Sequence, residues 1–145
     1  MSTTQPLFQH HKHCDEVFAE AEEACSKGDW SSGGKAFADF ADQLENHFTS
    51  EEEVLFPAFE SATGMTSGPT EVMRGEHRQM RELLEQMKQS LDDRDGEGFG
   101  GTAETMLIMM QQHNMKEENI LYPMCDSALG GTDVGVSIAH RLMAS

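Results

Sequence analysis

From Leu7 onward the inward-phased positions run Leu7, His11, Cys14, Phe18, Ala21 and Cys25, spaced by four and three, until Gly28 interrupts them. That spacing keeps one stripe on one face of a helix and predicts a first helix over residues 6–27. Asp29 is suited to cap a second helix over 30–62, whose stripe runs Phe37, Phe40, Leu44, His47, Glu51 and Leu55 to Pro57, with a short extension to a Gly64 cap. A third stripe, Met73, His77, Met80, Leu84, Met87 and Leu91, predicts a helix over 68–92 that fades in the polar segment DDRDGEG. The fourth carries Thr102, Met106, Met109 or Met110, His113, Glu117 and Leu121, again reaching a proline, Pro123, within a helix predicted over 97–129. No stretch alternates with a period of two and is rich in β-branched residues, so no strand is expected. Four amphipathic helices with short links predict an all-α protein, an up-down-up-down four-helix bundle forming a single domain over 1–145, with at most a short helix in the tail 130–145.

The polar members of those stripes repeat. With an offset of 66, His47 and Glu51 fall on His113 and Glu117, and His11 falls on His77. The same offset carries Leu55, Phe56, Pro57 and Gly64 onto Leu121, Tyr122, Pro123 and Gly130. Imidazoles and carboxylates are costly to bury alone, so a repeat that keeps them inside apolar stripes implies a ligand, and a metal ion is the simplest one.

Residues four apart share a helix face, so His47 with Glu51, and His113 with Glu117, each present an imidazole and a carboxylate inward together. His11 and His77 add one imidazole from each remaining helix. The candidate metal ligands are therefore His11, His47, Glu51, His77, His113 and Glu117. Imidazole suits iron, zinc and copper while carboxylates can bridge two cations, so this mixed set favours a dinuclear transition-metal centre over calcium or magnesium. The simplest assignment gives His11 and His47 to one ion and His77 and His113 to the other, bridged by Glu51 and Glu117. The donor types alone leave iron, zinc and copper open.

Composition narrows the partners. A formal charge of -16, from 26 acidic and 10 basic residues, disfavours nucleic acid and an anionic membrane surface. The three cysteines, Cys14, Cys25 and Cys125, are odd in number and lack CxxC spacing, which argues against a disulfide framework and fits a reducing, cytoplasmic setting. The N-terminus lacks an export-type basic and apolar segment, and no run approaches a membrane span.

An inward-phased His on the first helix, HxxxE on the second, an inward-phased His on the third and HxxxE on the fourth, with the tails EEEVLFP and EENILYP, resemble the hemerythrin-like or HHE cation-binding domain family over about residues 7–125. That resemblance implies a non-haem di-iron centre with an oxo or hydroxo bridge, able to bind O2, NO or peroxide. Oxygen-carrying members place a second His one turn before the third helix's ligand, where this chain has Met73. The four-His, two-Glu pattern is similar to relatives implicated in repair of iron centres under nitrosative stress. The function expected is sensing, scavenging or iron-centre repair, with a redox partner if the centre turns over; the alternative is reversible O2 or iron binding and storage without turnover.

Several other residues have blander expectations. His10 and His13 point about 100° and 200° away from His11 and are expected to be solvated, with His10 the alternative ligand if the helix phase is shifted. His140 is expected on the surface. Glu52, Glu53 and Glu118 read as a solvated acidic face. GEGFGG formally matches GxGxxG but follows no strand, so it is read as linker. Ferritin-type ExxH is ruled out, because the positions three before each His are Phe8, Leu44, Arg74 and Met110. Met73, Met80, Met106, Met109 and Met110 are expected to fill the core, and Cys14 to be a packed thiol.

Overall fold

The computed structural model describes residues 2–143. Its long helices are α1 (Gln5–Ser26), α2 (Trp30–Ser50), α4 (Pro69–Asp92) and α5 (Gly96–Lys116), with shorter α3 (Phe56–Thr63), α6 (Tyr122–Leu129) and α7 (Val134–Met143). No strand occurs among the described residues. The α1–α2 and α4–α5 hairpins pack into the expected four-helix bundle. No helix among the described residues is long and apolar enough to cross a membrane.

Local chemistry sets the starts and turns. Asp29 accepts a hydrogen bond from the Ser32 backbone N–H at 3.1 Å, and Asp95 accepts one from Gly98 at 3.0 Å, capping α2 and α5. Gly64 ends α3 at φ 75, in the left-handed region where a side chain is strained. Gly33 has a different reason: a Cβ there would lie 2.5 Å from Cys25 Sγ, so α1 and α2 approach closely only because it has none. GEGFGG is helical rather than linker, because the Asp95 cap fixes its first turn and Phe99 anchors it at 2 % exposure.

Neither of the two rods that carry a candidate-ligand carboxylate stops at its proline. Each passes through a π-helical turn, Glu51–Leu55 in one half and Glu117–Leu121 in the other. Phe56 N–H donates to Glu51 O and Tyr122 N–H to Glu117 O, a five-residue span that lets Pro57 and Pro123 enter the next helix at its first turn. Both π-turns begin at the candidate ligand carboxylate.

Two apolar clusters sandwich a polar layer. One contains Phe18, Phe40, Phe48, Met80, Met87 and Met106; the other contains Leu7, Leu55, Phe56, Phe59, Met73 and Leu121. Along every long helix the imidazole or carboxylate lies between members of the two clusters, so the polar layer is enclosed from both ends. The tail helix α7 packs across α1, α2 and the first π-turn, burying Ile138.

Candidate metal centre

All six candidate ligands are buried. Glu51, His77 and Glu117 are 0 % exposed, His47 and His113 2 %, and His11 5 %. Two sets of donor atoms each lie within 4.8 Å of one another: Glu51, His77, His113 and Glu117, and His11, His47 and Glu117. The structure thus brings together every residue of the candidate set and groups the imidazoles as the repeat suggests.

Each imidazole has one nitrogen tied outward. The Nδ1 of His11 donates to Glu118 at 2.7 Å, that of His77 to Glu52 at 2.7 Å, and that of His113 to Glu76 at 2.8 Å. His47 has a different partner: its Nδ1 lies 3.0 Å from His10 Nδ1, and His10 Nε2 lies 3.0 Å from the Gln43 side-chain oxygen. Since that oxygen only accepts, His10 donates through Nε2 and its Nδ1 accepts from His47. All four Nε2 lone pairs are thereby turned toward the shared interior, which is how outer partners orient metal-binding imidazoles.

The two carboxylates stand between the imidazole pairs. Glu117 Oε1 lies 3.1 Å from His11 Nε2 and 3.3 Å from His113 Nε2. Glu51 Oε1 lies 3.1 Å from His77 Nε2 and 3.7 Å from His47 Nε2. Despite this proximity, His77 Nε2, His113 Nε2, Glu51 Oε1 and Glu117 Oε2 have no hydrogen-bond partner, alongside the Ser50 hydroxyl. Orphaned buried atoms of this kind carry a desolvation cost of about 1–3 kcal/mol each, more if charged. A cation among them would satisfy the nitrogen lone pairs and carboxylate oxygens together, so the donor set fits a metal.

Without a cation, protons hold the layer together. Burial opposes charge on His113, but Glu117, Glu51 and Glu76 outweigh it and raise its pKa to about 9. His11 and His77 are also raised, since their carboxylate partners overcome burial. His47 falls well below the ordinary value through burial and the neighbouring His11 charge. Burial and the Glu117 charge push Glu51 up to about 8, whereas for Glu117 the burial penalty is overcome by His113 and its other partners, keeping it ionised. Metal loading must therefore displace protons.

Two expectations need correction. His10 is not solvated: it is 8 % exposed and supports His47, because it shares a stripe with Cys14, Val17 and Ala21. Glu52 and Glu118 are not merely a solvated face, since each accepts from a candidate-ligand imidazole; Glu53 alone stays exposed, paired with Arg141 at 2.6 Å. The two halves of the layer differ at Tyr122. Its hydroxyl donates to Glu51 Oε2 at 2.8 Å and lies 3.1 Å from Glu117 Oε1, while its repeat counterpart Phe56 stacks on His77 and lies under Arg74. Burial and the two carboxylates raise the Tyr122 pKa well above the ordinary phenol value.

Sequence reasoning missed Tyr122, Glu76 and Gln43 entirely. The offset of 66 pairs His10 with Glu76, which was the available signal for two of the outer partners. As expected, His13 and His140 are exposed, and Cys14 is buried with its thiol pushed up to about 12 by burial.

No curated protein and no solved structure matches the chain significantly. The family model described as the hemerythrin HHE cation binding domain matches residues 3–125, a span that contains all four imidazoles and both carboxylates of the buried layer. With that match and a His/Glu cluster able to hold metal, the chain belongs to the hemerythrin HHE cation-binding domain family.

Proposed function

We propose that the polar layer holds a di-iron centre, with one ion between His11 and His47, the other between His77 and His113, and Glu51 and Glu117 shared. The chain then binds or reacts with O2, NO or peroxide, in sensing, scavenging or repair of iron centres. One observation carries this reading: four Nε2 lone pairs and two carboxylates converge where several buried atoms lack hydrogen-bond partners. The mixed nitrogen and oxygen donors suit iron, and the acidic partners Glu118, Glu52 and Glu76 raise the basicity of three imidazoles. Zinc and manganese are the competing ions.

When bound, iron supplies one-electron redox chemistry and open positions for small ligands. The protein's own contribution is positional. Glu118, Glu52, Glu76 and His10 fix the ring orientations, the two apolar clusters exclude water, and Phe48 stacked 4.0 Å from the His77 ring walls that end of the layer. The same enclosure also suits a store that binds O2 or iron reversibly without turnover.

Loading the metal-free protein with ferrous iron under reducing conditions and then admitting air tests both readings. About two irons per chain with the near-ultraviolet absorption of an oxidised di-iron centre is expected. A chain that cannot be loaded overturns the di-iron reading. A store should cycle on deoxygenation without consuming electrons, whereas a redox protein should oxidise and then require a reductant.

A further inference from the structure

We propose that Tyr122 is a seventh protein ligand of the centre, coordinating the ion held by His11 and His47 through its phenolic oxygen. The inference rests on the di-iron reading above and concerns how unequal its two positions are.

Distance is the first argument. Tyr122 Oη lies 3.3 Å from His11 Nε2 and 3.4 Å from His47 Nε2, in addition to its contacts with Glu51 Oε2 at 2.8 Å and Glu117 Oε1 at 3.1 Å. Donors bound at about 2.1 Å to one ion, at right angles, stand about 3.0 Å apart. Oη therefore occupies a neighbouring-ligand position relative to two imidazoles and two carboxylates at once. Glu117 Oε1 and His11 Nε2 show the same separation, 3.1 Å.

Packing alone does not require the hydroxyl. The repeat places Phe56 at the equivalent point of the other half, where an aromatic ring without oxygen is buried at 0 % exposure. Four polar atoms lie within 3.4 Å of this one hydroxyl, which has a single O–H to donate and an oxygen that can accept. Replacing that proton by a cation resolves the crowding. The O–H bond breaks, the oxygen keeps the electron pair to bind the ion, and the proton leaves to solvent.

Two unequal positions follow. The His11/His47 ion gains an oxygen donor that the His77/His113 ion lacks, so an incoming small ligand is directed to the His77/His113 end, beside Phe48 and Phe56.

The test is visible absorption and resonance Raman spectroscopy of the protein loaded with ferrous iron and oxidised in air, with iron content measured on the same sample. Tyr122 is the chain's single tyrosine, so any tyrosinate signal belongs to it. A phenolate-to-ferric charge-transfer band is expected, with ring modes that shift when the protein is made with ring-deuterated tyrosine. The band should vanish in Tyr122→Phe while about two irons per chain remain. An iron-loaded wild type without the band, or a band that survives Tyr122→Phe, overturns the ligand assignment and leaves the di-iron reading intact. Failure of the wild type to load iron overturns both. Should Tyr122→Phe fail to fold, the isotope shift in the wild type decides the matter alone.

Discussion

The two halves of the molecule share their ligands but not their surroundings. The offset of 66 pairs Tyr122 with Phe56, His10 with Glu76 and Asp15 with Arg81. At the His77 end, Glu52 accepts from the imidazole while Arg81 grips the same carboxylate at 2.9 Å and also holds Glu45 at 3.0 Å. Although partial burial opposes it, His77 and Arg81 together bring the Glu52 pKa down to about 2. At the His11 end, Glu118 has no such clamp; the acid Asp15 lies near, its own pKa raised by burial and by the Glu118 charge against the opposing pull of His11. His47 leans on a neutral imidazole, whereas His113 leans on Glu76, itself paired with Lys116. A repeat can thus preserve a set of inward His and Glu residues while differentiating the charge around its two halves.

The sharpest break of that comparison is to remove a carboxylate both halves use. Glu117→Ala takes an oxygen from His11 and His113 together and should abolish tight binding of both irons, read by metal analysis after gel filtration. Retention of a full iron complement would show that the halves bind independently of it.

The outer partners should give a graded answer. Glu52→Gln and Glu118→Gln each weaken an oriented imidazole, and losses of about 10–100-fold in iron affinity are expected. The Glu52 change should cost more, because it also removes one of the two carboxylate charges that hold Arg81. Competition with a chelator measures both, and equal losses would remove the asymmetry from the account.

Proton occupancy gives a third contrast, in the metal-free protein. His113, raised to about 9, and Glu51, raised to about 8, hold protons that the unfolded chain releases between about pH 4.5 and 6.5. The folded state therefore binds more protons across the window from about 6.5 to 9, and its stability should fall as pH rises through it. The iron-loaded protein should show the opposite tendency in metal affinity, because deprotonated donors bind better. Thermal melts with and without iron at pH 6.5 and 9 test this; a metal-free melt that rises with pH contradicts it. The smallest effect expected is from Arg81→Ala, a partly exposed pair worth up to about 1 kcal/mol, seen as a shift of a few degrees in the melt.

Much of this was legible in the sequence, for a physical reason. Spacing of three and four marks helical stripes, and a repeat that puts His and Glu on those stripes picks out, without any structure, the residues that the fold brings together. The outer shell was less legible because adjacent residues diverge by about 100° around a helix, so His10 beside His11 read as outward. The buried sector of α1 is wider than one stripe and takes in both. Glu52 and Glu118 were concealed by their neighbours, since an acidic run looks solvated whichever member turns inward. Tyr122 was concealed by its own repeat: matched with Phe56 it counted as apolar, and its hydroxyl reaches the carboxylates only once the π-turn has carried the helix past Glu117.

The central claim is that the buried layer is a di-iron centre, and metal analysis of the protein purified from cells grown with iron tests it most directly. The account predicts about two irons per chain, removable only by a chelator and accompanied by a fall in thermal stability on removal. Protein isolated with no stoichiometric metal, or with zinc that iron cannot displace, would contradict it.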